Sequence, residues 1–330
     1  MGSPRQHMHT DSTSSGTHLR ELLQNAMLRS RAGGILLSGG LDTSALSAIA
    51  AQQGRKLRGV CVSVAGSVNS DEPFAKMMAE RRGFSLRILR PSLDSFIAVL
   101  PTLMRVLGTF DPIELRNSAV TWLALKAARD EGISEVLTGD AADELFAGYS
   151  YIFNLAAEQL RPYLDSLNRV MYFSSERMGA SLGIRVQLPY LDAAIRNFAL
   201  TMSPNDLVVE REGQRLGKKI LREAFVDSLP DEITWRVKTP IEYGSGSHAL
   251  QKFVTDLISD DEFEVARSRL AAEEGVTLRD KEQFFHYRIY RTILPPPCQQ
   301  VDGAKRCTAF GGAVEREEQK YRRTCGAYPC

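Results

Sequence analysis

The sequence predicts an α/β protein: a doubly wound parallel sheet with an added C-terminal helical region. Short apolar runs alternate with helical periodicities from His18 to Thr138, the pattern of βαβ units. Beyond Tyr149 the strand signals fade while helical spacing continues. Two glycine- and acid-bearing loops follow the first and fourth apolar runs, where open α/β sheets put their ligands.

The elements follow in order. Leu19, Leu22, Leu23, Ala26 and Met27 recur at helical spacing, and Gly33 to Leu37 reads as a buried strand. Thr43 to Gln53 reads as a helix, Leu57 to Val64 as a second strand, Asp71 to Arg82 as a helix and Phe84 to Leu89 as a third strand. Leu93 to Leu107 and Ser118 to Glu131 read as helices, and Ile133 to Thr138 as a fourth strand. Helical spacing returns at Ile195 to Met202, Lys218 to Ser228 and Lys281 to Ile293, before Pro295-Pro296-Pro297 stops it. The expected organisation is a flexible N-terminal tail over 1–17, an α/β domain over 18–150, a mostly helical part over 151–295 and a polar, Cys-containing tail over 296–330.

The chain has 330 residues, 43% of them hydrophobic and 25% charged, so it can bury a real core. A net charge of +1 carries no electrostatic footprint for tracking along nucleic acid, which is not an expected partner. No run approaches the roughly 20 apolar residues that span a bilayer. Met1 to Gly16 is Ser/Thr/His-rich without an apolar centre, unlike a secretory signal. Of five cysteines, Cys61 lies in an apolar run, and Cys298, Cys307, Cys325 and Cys330 lie near the C-terminus. Their spacing fits neither a disulfide framework nor paired zinc knuckles, so free thiols and a cytoplasmic, reducing location are expected.

The strongest signal is Ser38-Gly39-Gly40-Leu41-Asp42-Thr43-Ser44 behind the first strand. Glycines let the backbone approach an anion, and a helix N-terminus adds free N–H groups and a positive dipole end. Ser38, Thr43 and Ser44 add hydroxyl donors, so the loop suits phosphate oxygens. It lacks the Gly-Lys-[Ser/Thr] ending of a Walker A loop. Asp42 would repel phosphate unless a cation bridges the two, which suggests a Mg²⁺ ligand. The alternative is a helix N-cap. The second loop, Gly139 to Tyr149, puts Asp143 in the first turn of a helix starting near Ala141. Asp42 and Asp143 could share one metal ion and leave Asp140 facing a substrate, or Asp140, Asp143 and Glu144 could be ordinary capping charges.

In these two loops the chain resembles the synthetase domain of the glutamine-dependent asparagine synthetases, members of the PP-loop ATP pyrophosphatases with an adenine nucleotide alpha hydrolase-like fold. Ser38 to Ser44 is similar to the PP-loop, and Gly139 to Tyr149 to the family's second signature. Further matches are Leu188 to Asp192, Gly217 to Phe225, Leu229-Pro230 and Trp235-Arg236-Val237-Lys238. The resemblance covers roughly residues 18–295. It implies ATP and Mg²⁺ as cofactors and a reaction in which a carboxylate, aspartate by default, attacks the α-phosphate of ATP. Pyrophosphate leaves, and an amine then displaces AMP to form an amide. It further implies that Ser38, Gly39, Gly40, Asp42, Thr43 and Ser44 hold pyrophosphate and metal, with Asp42 and Asp143 as metal ligands. Leu36, Val62, Thr138 and Gly139 match adenosine-pocket positions, and Lys218 and Lys238 match phosphate-facing lysines. Lys238 is the candidate for transition-state stabilisation. With Asp140 and Arg116 it forms the candidate catalytic set, Arg116 as a carboxylate or phosphate clamp.

Some positions depart from the family pattern. Gly2 stands where glutamine-using members begin the mature chain with a catalytic cysteine. Nitrogen is therefore expected from free ammonia, a separate glutaminase subunit or an amine on the substrate, and a homo-oligomer is left open. Arg185 and Gln187 precede Pro189 where asparagine-forming enzymes carry Glu and Arg, and Ile113 and Glu114 replace small hydroxyl residues before Arg116. These changes leave other PP-loop substrates open: lactam closure, or nitrogen or sulfur transfer to a nucleobase. A non-catalytic ATP-binding subunit is the remaining alternative. The glycines of Thr239 to Gly246 suggest a loop that closes over the site.

Overall fold

The computed structural model describes residues 10–66 and 71–297. Of the expected tails over 1–17 and 296–330, residues 1–9 and 298–330, with Cys298, Cys307, Cys325 and Cys330, lie outside the described residues, whereas 10–17 are not a tail but the start of the first helix.

Five short strands build one parallel sheet: β1 (Gly34–Leu36), β2 (Arg58–Val62), β3 (Ser85–Leu89), β4 (Glu135–Leu137) and β5 (Arg185–Gln187). Their order is β3-β2-β1-β4-β5. Every neighbouring pair runs parallel. The connections therefore wind outward from β1 in one direction and then in the other. The direction reverses between β1 and β4, the switch point where doubly wound sheets leave a crevice beyond the strand ends. Central strands are buried along most of their length and the edge strands β3 and β5 are not, which is why the first, second and fourth runs read so apolar.

The helices of the α/β half follow the expected periodicities closely. They are α1 (Thr10–Arg29), α2 (Leu41–Gln52), α3 (Glu72–Arg82), α4 (Leu93–Leu107) and α5 (Pro112–Asp130). Helix α5 begins six residues ahead of the expected Ser118. Pro112 is a favourable first residue, and Asp111 Oδ1 accepts the Glu114 N–H at 2.9 Å as a cap. Two strand features lie within the stretch expected to be mostly helical. One is β5. The other is the antiparallel pair β6 (Val209–Arg211) and β7 (Gln214–Leu216), turned by Glu212-Gly213 with both residues at positive φ. Three-residue strands are too short to show a two-residue period.

The chain divides into two compact units. Of the described residues, those up to 98 together with 116–250, including the whole sheet, form the first, and 99–115 with those from 251 onward form the second. The second holds the helices Asp260–Glu273 and Lys281–Arg291. Its core packs Phe110 edge-on to Tyr287 and Tyr290, with ring centroids 4.9 and 5.2 Å apart. His286, expected to be a packing residue, is fully buried there. Among the described residues no single helix is long and apolar enough to cross a membrane.

Candidate functional site

The site forms in the first unit, where the chain leaves β1 and β4. Gly39 adopts φ +72°, and a Cβ there would lie 2.3 Å from the Ala75 nitrogen, so the turn closes only around glycine. Helix α2 then starts at Leu41 behind Gly40, which has no side-chain cap. Asp42 is therefore inside the first turn and is not the N-cap. The Ser38 hydroxyl folds back over the turn, accepting the Gly40 N–H at 3.2 Å and meeting Thr43 Oγ1 at 3.3 Å. Ser44 is fully buried, and its hydroxyl has no hydrogen-bond partner among the described residues.

The second loop turns into the short helix α6 (Ala142–Leu145). Ala141 and Ala147 flank it at positive φ, and Lys218 is left-handed as well, with φ 60°. Three non-glycine residues in this region at one site mark stored backbone strain. Gly148 makes room for the cluster: a Cβ there would lie 1.9 Å from Asp143 Oδ1 and 2.3 Å from Lys218 Cε.

Asp42, Asp143, Lys218 and Lys238 form one alternating charge cluster. Lys218 Nζ lies 2.7 Å from both oxygens of Asp42 and 2.6 Å from Asp143 Oδ1. Lys238 Nζ donates to Asp143 Oδ2 at 2.7 Å and sits 5.9 Å from the centre of the Tyr149 ring. Burial pushes the Asp143 carboxyl up, but Lys218 and Lys238 outweigh it and hold the group below its usual range. Burial likewise pulls the Lys238 ammonium down, and Asp143 and Asp42 more than reverse this. The Asp42 backbone is held by Tyr190, a fully buried phenol that donates to the Asp42 carbonyl at 3.0 Å.

Asp140 does not cap α6, whose N-cap is Ala141. Its Oδ2 accepts hydrogen bonds from Thr138 at 2.9 Å and Ser175 at 2.5 Å, and burial raises its pKa. Gly139 packs against Asp42, where a Cβ would lie 2.9 Å from the Asp42 Cβ. Leu36 ends β1 and Val62 ends β2, both at the rim beyond which the loops emerge. Arg116 is buried in α5 and is not among the residues lining the cleft beside the lysines. Those residues include Ser38, Gly40, Leu41, Asp42, Lys218 and Lys238.

Asp71, Arg222 and Arg236 also line the cleft, although the sequence suggests no binding or catalytic role for them and reads Arg211 to Arg222 as a solvated helix face, whereas Arg222 is buried. Asp71 precedes α3 and looked like the start of a helix. Its carboxylate makes no cap but pairs with Arg236 Nη2 at 2.8 Å, while Arg236 stacks over Phe74 at 4.2 Å. Burial raises the Asp71 pKa and Arg236 opposes the shift. The presence of Arg236 and Arg222 inside motifs already quoted was the only available signal. The glycine-bearing stretch after Lys238 is helical over Ile241–Ser245 and fastened at its end. Asp71 N donates to Gly244 O at 3.1 Å and Val64 N to Ser245 O at 2.8 Å.

Two buried carboxylates converging on one cation suit a hard divalent ion, with the Lys218 ammonium as its stand-in. Among the described residues no three His, Cys, Asp or Glu converge, so such an ion would complete its shell with phosphate oxygens and water, as Mg²⁺ prefers. The orphaned Ser44 hydroxyl and the first N–H groups of α2 are donors suited to an anion.

The sequence model of the asparagine synthase family matches residues 17–172 and 158–311. The glutamine-hydrolyzing asparagine synthetase 1 of Arabidopsis thaliana is 26% identical over 306 residues, covering 85% of this chain and 50% of that protein. The glutamine-hydrolyzing asparagine synthetase B of Escherichia coli is 25% identical over 331 residues, covering 92% and 57% respectively. The chain spans about half the length of the curated relatives it matches. A solved NMN synthetase from Francisella tularensis aligns at 15% identity with a TM-score of 0.39, covering 88% of this chain and 99% of that one, a likeness too loose to carry an argument.

Proposed function

Because this chain belongs to the asparagine synthase family, we propose that it is an ATP-dependent amide-forming ligase. It adenylates a carboxylate, aspartate by default, and passes the acyl group to ammonia or an amine. The observation that carries this reading is the alternation of Asp42, Lys218, Asp143 and Lys238 at the sheet's switch point.

Asp42 and Asp143 would hold Mg²⁺, which when bound neutralises phosphate charge. Ser38, Gly39, Gly40, Thr43 and Ser44 bind the pyrophosphate portion of ATP through hydroxyls and the N–H groups of α2. Leu36, Val62, Thr138 and Gly139 line the adenosine side. Negative charge builds on the α-phosphate and on departing pyrophosphate as the carboxylate attacks. Lys218 and Lys238 stabilise that charge, and Lys238 does so without leaving Asp143, which orients it. Asp140, held by Thr138 and Ser175, faces the incoming amine. Ammonia comes free or from a separate glutaminase subunit, and the cysteine usage suits a reducing, cytoplasmic setting.

One observation favours an acid other than aspartate. Gln187, standing where the family's asparagine-forming members carry a cation, gives its side-chain amide to Glu135 at 2.9 Å, and Arg185 is exposed. ATP–pyrophosphate exchange with a panel of carboxylic acids decides between the readings. Exchange that requires aspartate supports the default, and exchange with another acid moves the substrate. ATP binding without exchange under any acid makes the protein a non-catalytic nucleotide-binding subunit and overturns the ligase.

A further inference from the structure

One buried guanidinium grips the chain just ahead of both lysines. Arg222 is 3% exposed. Its Nε donates to the carbonyl of Gly217, the residue before Lys218, at 2.8 Å. Its Nη1 donates to the carbonyls of Thr234 at 2.6 Å and Arg236 at 3.1 Å, and Arg236 stands two residues before Lys238. Its own backbone N–H donates to the Lys218 carbonyl at 2.9 Å. A buried cation whose hydrogen bonds end on carbonyls is costly, because among the described residues no carboxylate is hydrogen-bonded to it to repay its desolvation. Burial lowers the Arg222 pKa to about 10 and the charges of Asp42 and Asp143 oppose this, so the group stays ionised at neutral pH. The planar fork of arginine can hold carbonyls on two separate segments in fixed directions, and a lysine ammonium cannot.

We propose that Arg222 is a positioning residue that sets the separation of the Lys218 and Lys238 ammonium groups by tying together the backbones that carry them. The proposal builds on the reading of those lysines as phosphate-facing cations. Lys218 is already anchored to the acidic loop, since its N–H donates to the Phe146 carbonyl at 2.9 Å. Among the described residues the Lys238 N–H has no such backbone hydrogen bond, and Val237 beside it is 51% exposed. The grip on Thr234 and Arg236 supplies one. Without it Lys238 keeps its charge and its fold but loses its register against Lys218.

The test uses the full chain and two readouts. The first is the affinity for Mg²⁺ with α,β-methylene-ATP, which needs no carboxylate substrate. The second is the rate of ATP–pyrophosphate exchange per nucleotide-binding site. Arg222→Ala is expected to weaken analogue binding about tenfold, as loss of one charge-assisted contact would. Where exchange is measurable, its kcat should fall by about 10²-fold with a smaller change in the KM for ATP. Millimolar guanidinium should restore binding in Arg222→Ala but not in Lys238→Ala. If Arg222→Ala does not fold, Arg222→Lys keeps the charge and most of the volume and should show the same losses. Wild-type affinity and kcat in the folded variant overturn the proposal, as does equal guanidinium rescue of both alanine variants. Absence of exchange in the wild type overturns the ligase reading and leaves the binding arm to judge Arg222.

Discussion

The ammonium of Lys218 lies 2.7 Å from both carboxylate oxygens of Asp42, across 176 residues of sequence. The same nitrogen reaches Asp143, so one cation neutralises the space between two buried acids. Lys218→Met should leave those acids facing each other, at a cost of about 3–5 kcal/mol in urea denaturation. Mg²⁺ should recover more stability in this variant than it adds to the parent protein, because a divalent ion takes the seat of the ammonium. Equal responses to Mg²⁺ would remove Asp42 and Asp143 as a shared cation seat.

Asp42→Asn and Asp143→Asn each remove one of the two converging carboxylates. Exchange activity should fall by about 10²–10³-fold or more in either, the scale of losing one fixed electrostatic contact to the transition state. Mn²⁺ binding in the presence of ATP, followed by electron paramagnetic resonance, should weaken in parallel. Full exchange in both variants would refute the metal assignment.

Lys238→Ala should separate chemistry from stability. Its side chain is 31% exposed, so truncation leaves little uncompensated burial. A fall in kcat of about 10²–10³-fold is expected, with the melting temperature near that of the parent. A large drop in melting temperature with kcat preserved would make Lys238 a structural residue.

The acid limb of stability should depend on Asp143. Its folded-state pKa lies below the ordinary value, so its ion pairs stabilise the fold above the unfolded pKa and are lost as pH falls through the folded one. The stability difference between the parent and Asp143→Asn should therefore hold through the neutral range and shrink below about pH 4. Chemical denaturation at stepped pH measures it, and a difference that widens toward acid would contradict the assigned sign.

Gly148→Ala tests the closeness of the cluster. The added methyl meets Asp143 Oδ1 at 1.9 Å and Lys218 Cε at 2.3 Å. Overpacking of this kind costs about 1–3 kcal/mol, and exchange should fall together with stability as the two charges are forced apart. A variant with parental activity and melting temperature would mean that the two side chains can yield.

The chain's linear pattern told most about elements that are long and periodic. α2, α3, α4 and the four strands β1 to β4 all lie within two residues or so of where apolar spacing puts them. β5 was not legible, because three residues at a half-exposed edge leave too little contrast between faces. The start of α5 was written in Asp111-Pro112, a capping signal weaker than the apolar stripe that follows it.

By itself the sequence determined the class of the fold, the two loops that leave β1 and β4, and the residue types gathered there. These are properties of neighbours along the chain, where strand and helix periods and turn chemistry act. Only the tertiary structure decided that Lys218 sits between Asp42 and Asp143, that Asp71 serves Arg236 rather than capping α3, and that Tyr190 holds the Asp42 carbonyl. Those pairings join residues from 75 to 176 positions apart. Their partners are chosen by burial: a charge carried into the interior must meet its opposite there, and no local pattern says which one it will meet.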